Sequence, residues 1–130
     1  MFILQVEENA RYIAAVEAIF RWVEIPGRRA VTSTVTMLEL LVRPYRMADL
    51  DQVDLFYSLL STYPNLEWAV TDLNIADRAA ELRARKKLRT PDAIQIATAI
   101  ASGATGYVTN DKVFKRVNDI DVLLLDDLLV

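Results

Sequence analysis

Residues 89–111, RTPDAIQIATAIASGATGYVTND, decide the fold of this chain. Thr90 and Pro91 are typical of the start of a helix, and Gly103 is typical of its end. The alanines between them allow a helix to lie close to a sheet. The residues TGYVT that follow predict a short strand, and a helix that leads directly into a strand is typical of an α/β domain.

The same alternation extends to both sides of this stretch. Before it, the sequence predicts strands at residues 30–32 and 66–70, and helices over TVTMLELLV, which Pro44 closes, over residues 46–62 and over LNIADRAAELRARKK. After it come a short helix, DKVFKRV, and a last strand, DVLLLDD. Short strands that alternate with helices predict an α/β fold with three layers, α/β/α, around a short parallel sheet.

Apolar residues at helical spacing predict which side chains face the core. In the first helix these are Ile13, Val16, Phe20 and Val23. In the helix over residues 46–62 they are Leu50, Val53, Phe56, Tyr57 and Leu60. We also expect Trp22, Trp68, Phe20 and Phe56 to lie in the core rather than to stack on bases.

Composition narrows the chemistry that the chain can perform. With 130 residues, of which 53% are hydrophobic, residues 1–130 are expected to form a single domain. The sequence has no cysteine and no histidine, which excludes thiolate and imidazole chemistry and nearly every zinc site. A net charge of −3 argues mildly against binding nucleic acid through overall charge.

Three carboxylates are placed where ligands gather in open α/β sheets, beyond the carboxyl ends of the strands. Glu39 lies in the helix after the first predicted strand, Asp92 starts the helix after RT, and Asp111 directly follows the TGYVT strand. Each also has a structural explanation. Thr36 and Glu39 fit a capping box, Asp92 complements the helix dipole, and Asp111 is suited to cap its short helix.

The functional alternative is that these three acids meet at one site. Carboxylates that crowd together repel one another and raise the pKa of at least one of them, unless a divalent cation balances the charge. Oxygen ligands favour Mg²⁺ or Mn²⁺. Asp92 also belongs to a polar stripe with Gln95, Thr98 and Ser102, so we expect it to border a wet cleft.

A basic segment leads into the Asp92 stretch. RARKKLR contains Arg83, Arg85, Lys86, Lys87 and Arg89. Cations at the end of a helix complement its dipole and stay solvated, which is the structural explanation. The functional alternative is a rim in which Arg85, Lys86, Lys87 and Arg89 contact RNA phosphates.

Three stretches, TSTVTMLELLVRP, LRARKKLRTPDAIQIATAIASGATGYVTND and VLLLDDL, resemble the PIN-domain ribonucleases, and most closely the VapC-type toxins of bacterial toxin–antitoxin pairs. The resemblance implies a Mg²⁺- or Mn²⁺-dependent endoribonuclease that hydrolyses RNA through clustered acids. It assigns the metal and the catalysis to Glu39, Asp92 and Asp111. It places Thr109, Asn110 and Gln95 along the pocket.

The chain departs from the family at its beginning. In the family, the fourth acid belongs to an Asp-Thr-Asn sequence that ends the first strand, and the first helix follows directly. In this chain, the initial residues MFI correspond to the start of that helix. We therefore expect the first strand and its aspartate to be missing, and activity to be impaired. Either the natural start lies further upstream and the longer protein is active, or the shortened domain is catalytically silent and acts by binding an antitoxin.

The resemblance also implies partners. These are an RNA substrate, a cognate antitoxin protein and further copies of the chain in a dimer or larger oligomer, which would mask the strand edges left by the missing strand. The sequence contains no signal peptide and no apolar run of membrane-spanning length. We expect a cytoplasmic location and no membrane partner.

Overall fold

The structure is a computed structural model that describes residues 10–109 and 111–125, with side chains from residue 17 onwards. The described residues form five α-helices, one short 3-10 helix and four strands. In chain order these are α1 (Ala10–Glu24), β1 (Ala30–Ser33), α2 (Thr34–Arg46), α3 (Leu50–Ser61), β2 (Leu66–Ala69), α4 (Leu73–Lys86), α5 (Thr90–Ala101), β3 (Gly106–Thr109), η1 (Lys112–Arg116) and β4 (Asp121–Leu124).

The strands form two parallel pairs. β1 pairs with β2, Ala30 standing opposite Leu66 and Ser33 opposite Ala69. β3 pairs with β4, Gly106 standing opposite Asp121. Helix α5 packs against both β1 and β3, and α4 packs against α5. This arrangement confirms the predicted three-layer α/β/α fold with short parallel strands.

The main core lies around α5. Its small residues Ala93, Ala97 and Ala99 are almost completely buried, as expected for a helix that lies close to strands. Tyr107 of β3 and Phe114 of η1 pack against each other in the same cluster, with ring centroids 4.9 Å apart. A second, smaller cluster joins Val23 and Ala30 between α1 and β1. The predicted core residues Ile13 and Val16 lie outside the described side chains.

Three predictions about helices are wrong. Pro44 does not close α2, which continues to Arg46. A proline near the end of a helix removes only one hydrogen bond, and the ring of Pro44 is buried. In α3 only Val53 is fully buried; Leu50 and Tyr57 are exposed, because the helix packs mainly against α2. Trp22 is also 45% exposed rather than in the core.

The cap residues differ from those predicted. Ser33, not Thr36, caps α2 by accepting a hydrogen bond from Val35 N. Arg89, not Thr90, stands at the cap of α5 and makes no side-chain cap hydrogen bond. Within the described part of the chain, no helix combines the length and apolar character that a membrane span needs.

Candidate functional site

Three acids near the carboxyl ends of β1 and β3 act electrostatically on common neighbours. Glu39 comes from α2, which follows β1; Asp92 lies in the first turn of α5; Asp111 follows β3. Burial raises the pKa of Glu39, and the negative charge of Asp92 raises it further. Arg89 interacts electrostatically with all three carboxylates. The structure therefore brings these three sequence-distant acids into one electrostatic neighbourhood.

Asp92 is the most buried of the three. It is 6% exposed and accepts hydrogen bonds from the guanidinium of Arg89, at 3.1 Å to Nε and 3.4 Å to Nη2. The hydrogen bond to Asp92 is the main cause that raises the pKa of Arg89. The side chain of Arg89 is otherwise exposed, so it can leave Asp92 without being extracted from a core. The charged group beside Asp92 is therefore a side chain of this protein, at the position where we predicted a divalent metal ion.

Asp111 has the structural role that its position suggested. Its Oδ1 accepts a hydrogen bond from Val113 N at 3.0 Å, which caps η1. Its own backbone N–H donates to Thr109 Oγ1 at 3.1 Å. Since a carboxylate offers a second oxygen with its own lone pairs, this cap leaves Asp111 able to accept another ligand. Asn110, predicted to line the pocket, lies outside the described residues.

A buried hydrogen-bond chain connects β1, α2 and α5. Gln95 Nε2 donates to Thr36 Oγ1 at 2.7 Å, and Thr36 Oγ1 is 2.8 Å from Thr32 Oγ1. Gln95 and Thr98 are buried, so these two members of the polar stripe lie in the interior. Through Thr36, Gln95 joins α5 to the first turn of α2.

Tyr107 belongs to the site although the sequence reasoning did not select it. Its hydroxyl is buried and has no hydrogen-bond partner among the described residues. Burial raises the pKa of the Tyr107 phenol well above its ordinary value, and Asp92, Glu39 and Asp111 all contribute to this rise. The available signal was its position two residues before Thr109, because alternate residues of a strand face the same side.

The donor chemistry fits a hard divalent cation, but the described geometry does not form a complete coordination shell. Carboxylate oxygens are the ligands that Mg²⁺ and Mn²⁺ prefer. Burial is the main cause that raises the pKa of Glu39; the negative charge of Asp92, which raises it further, would also attract such an ion. Within residues 10–109 and 111–125, however, no three acidic side chains are close enough together to hold a metal ion. Arg89 engages the central acid instead.

The residues of the predicted basic rim contact different partners. Arg85 contacts Glu81 and Asp119, and Lys86 donates to Asn118. Arg89 alone of the predicted rim residues is paired with one of the three acids. Lys87 ends α4 in the left-handed conformation, with φ of 55°. The rim and the acids are therefore connected through Arg89.

Comparisons with known proteins agree with this fold. A family model described as "PIN domain" matches residues 7–120. A chain of a toxin–antitoxin complex from Klebsiella pneumoniae is 24% identical, with a TM-score of 0.64; the match covers 91% of this chain and 87% of that chain. No curated protein is found to match.

Two further solved structures share the fold. Chains of VapBC2 from Rickettsia felis bound to a DNA fragment from their promoter, and of VapBC-1 from nontypeable Haemophilus influenzae, are 19% and 15% identical, each with a TM-score of 0.61. Each match covers 92% of this chain and 88% of the other. Since the family model spans most of the sequence and the same fold recurs in these structures, the chain belongs to the PIN domain family.

Proposed function

We propose that this chain is a VapC-type toxin nuclease that hydrolyses RNA phosphodiesters at Glu39, Asp92 and Asp111 with the help of Mg²⁺ or Mn²⁺. The observation that carries the proposal is that three acids from three distant segments all act electrostatically on the same two residues, Arg89 and Tyr107. Acids that have only structural roles have no reason to share one neighbourhood, because like charges repel.

The chain's own residues would prepare the site for metal and substrate. Asp92 and Asp111 would supply oxygen ligands from rigid positions, one on α5 and one on the cap of η1. Glu39 would complete the set from α2. The Gln95–Thr36 hydrogen bond holds α2 against α5, and so fixes the distance between Glu39 and Asp92. Thr109, Asn110 and Gln95 are proposed to line the pocket.

A bound divalent ion would supply polarisation of the scissile phosphate and a more acidic water. Arg89 would leave Asp92 and turn to a substrate phosphate, because a guanidinium pairs equally well with phosphate and carboxylate. Arg85, Lys86 and Lys87 would extend this phosphate rim along the end of α4.

The solved structures that share the fold suggest the partners. Their titles describe toxin–antitoxin and VapBC complexes, and we propose a cognate antitoxin as a partner of this chain. Residues 1–130 would form one domain, located in the cytoplasm and assembled as a dimer or a larger homo-oligomer.

A specific observation favours a second candidate function. The ion pair between Arg89 and Asp92 satisfies the central acid without a metal, which would suit a catalytically silent module that acts only by binding an antitoxin. The two candidates share the fold and differ in hydrolysis.

Incubation of the purified chain with RNA and Mn²⁺ or Mg²⁺ tests the proposal. Cleavage that requires the metal and is lost in Asp92→Asn is the expected result, even if the rate is low. Asp77→Asn is the matched control, since Asp77 is an exposed acid of α4. Absence of metal-dependent cleavage, or cleavage that persists in Asp92→Asn, would reject the nuclease and favour the silent module.

A further inference from the structure

The hydroxyl of Tyr107 is a buried donor that the proposed function does not use. Tyr107 is completely buried, and its hydroxyl has no hydrogen-bond partner among the residues that the structure describes. A polar group that is buried without a partner has lost the hydrogen bonds that water gives it in the unfolded chain, which is unfavourable. The observed arrangement of side chains therefore leaves this hydroxyl available to an acceptor that comes within reach.

Packing places Tyr107 against the start of α5. Tyr107 and Thr109 are the two buried positions of β3, and alternate residues of a strand face the same side. Tyr107 belongs to the same core cluster as Ala93, the residue next to Asp92. Burial is the main cause that raises the pKa of the Tyr107 phenol, and the charge of Asp92 is the next largest. Asp92 is thus the charged group that acts most strongly on this hydroxyl.

Asp92 depends on a partner that is itself exposed. The side chain of Arg89 is 70% exposed, whereas that of Asp92 is 8% exposed. If Arg89 turned to an external phosphate, Asp92 would remain as a buried charge without its cation, which is strongly unfavourable. Gln95 Oε1, one turn further along α5, is also buried without a partner, but an amide oxygen can only accept a hydrogen bond. A tyrosine hydroxyl can donate one.

We propose that Tyr107 is a positioning residue whose hydroxyl donates a hydrogen bond to the Asp92 carboxylate when Arg89 leaves it. In the structure Arg89 contacts both carboxylate oxygens. Once these contacts are broken, the carboxylate can turn towards β3, and an O–H···O⁻ hydrogen bond satisfies the hydroxyl and keeps the acid charged. Arg89 then changes between Asp92 and a phosphate at a smaller cost in free energy. This last step rests on the proposed function, whereas the hydrogen bond itself does not.

A double-mutant cycle in the metal-free full chain tests the proposal. Arg89→Met removes the cation and keeps the aliphatic stem, and Tyr107→Phe removes only the hydroxyl. In the unaltered chain, Tyr107→Phe is expected to leave the equilibrium constant of unfolding unchanged or to lower it, because the hydroxyl has no partner there. In the Arg89→Met background, the same substitution should raise that constant about tenfold or more, because it then removes a hydrogen bond to a charged group.

A spectroscopic measurement distinguishes this hydrogen bond from a general change in packing. The NMR chemical shift of the tyrosine Cζ carbon responds to the hydrogen bonding of the hydroxyl, and the Tyr107 signal is identified by its loss in Tyr107→Phe. We expect this signal to move in Arg89→Met, and to move back when Asp92→Leu also removes the acceptor. Arg85→Met is the matched control. It removes a cation whose partners are Glu81 and Asp119, and should leave the signal in place.

Three outcomes would overturn the proposal. A rise in the unfolding constant of Tyr107→Phe alone would mean that the hydroxyl already has a partner while Arg89 is in place. Equal effects of Tyr107→Phe in both backgrounds, or an unmoved Cζ signal in Arg89→Met, would mean that Asp92 does not accept from this hydroxyl. If Arg89→Met does not fold, Arg89→Lys takes its place in the cycle. Its single ammonium cannot pair with both oxygens as a guanidinium does, so a coupling of the same sign is expected.

The cycle and the nuclease assay can fail independently of each other. The cycle uses neither metal nor RNA, so that absence of cleavage together with the expected coupling would reject the proposed function and keep the hydrogen bond. Metal-dependent cleavage without the coupling would reject the role of Tyr107 alone.

Discussion

At the scale of the residue, the site is governed by competition for Asp92. This buried carboxylate is paired with an exposed arginine, and a paired buried acid is more stable than an unpaired one. A divalent cation at Asp92 would have to compete with the guanidinium of Arg89, which contacts both carboxylate oxygens. If the proposed function holds, Arg89 would lower the affinity of Asp92 for a metal ion while it stabilises the metal-free chain.

Removal of Arg89 should change metal binding and stability in opposite directions. Arg89→Ala is expected to strengthen Mn²⁺ binding by roughly threefold to tenfold, because the competing cation is gone, and to lower the Tm of the metal-free chain. Calorimetric titration and thermal unfolding measure the two effects. Arg85→Ala is the control, since it makes the same charge change where Glu81 and Asp119 are the partners. Unchanged or weaker Mn²⁺ binding in Arg89→Ala would show that the ion does not bind at Asp92.

The buried hydrogen bond between α2 and α5 can also be tested by replacing a single residue. In Thr36→Val, Gln95 Nε2 loses its acceptor while the side chain keeps its shape. We expect the free energy of unfolding to fall by about 1–3 kcal/mol. Urea denaturation measures this change, and Thr34→Val, exposed on the same helix, should stay within about 0.5 kcal/mol. Equal effects of the two substitutions would mean that the buried hydrogen bond contributes nothing to the free energy of unfolding.

At the scale of the element, the sequence predicts the type and order of the helices and strands well, but their first and last residues less well. The alternation of strands and helices around residues 89–111 is local, since it follows from Pro91, Gly103 and the apolar strand between them. Which side chains of α3 are buried does not follow from the local sequence. Leu50 and Tyr57 fit an apolar face, but α3 contacts too few neighbours to cover both.

The candidate site was predictable in part for the same reason. Asp92 and Asp111 flank α5 and β3, whose topology follows from their short connection. Two features arise only in three dimensions: the pairing of Arg89 with Asp92, and the inclusion of Tyr107. For Thr36 the prediction was too local. Its spacing to Glu39 suggested a capping box within one helix, whereas its hydroxyl makes tertiary hydrogen bonds.

The end of α4 offers a prediction at this scale. Lys87 has a positive φ of 55°, a conformation that glycine adopts without steric cost. Lys87→Gly is expected to increase the free energy of unfolding by about 0.5–1 kcal/mol. Lys86→Gly, one residue earlier and still helical, should decrease it by about 0.5–1 kcal/mol. Chemical denaturation compares the pair, and a loss of stability in both variants would contradict the assigned helix end.

At the scale of the whole molecule, α5 organises both structure and site. It packs against β1, β3, α2 and α4, so that one helix fixes the separation of the two strand pairs and carries Asp92. The position of Asp92 therefore depends on the packing of α5 against all four of these elements.

The central claim is that three acids from distant segments share one cation. Paramagnetic broadening by Mn²⁺, followed residue by residue in the NMR spectrum of the full chain, tests it most directly because it also detects weak binding. We predict that the backbone amides of Glu39, Asp92 and Asp111 broaden together, at the same low Mn²⁺ concentration, and before those of exposed acids such as Asp51 and Asp54. Broadening of only one of the three, or of surface acids first, would contradict the account.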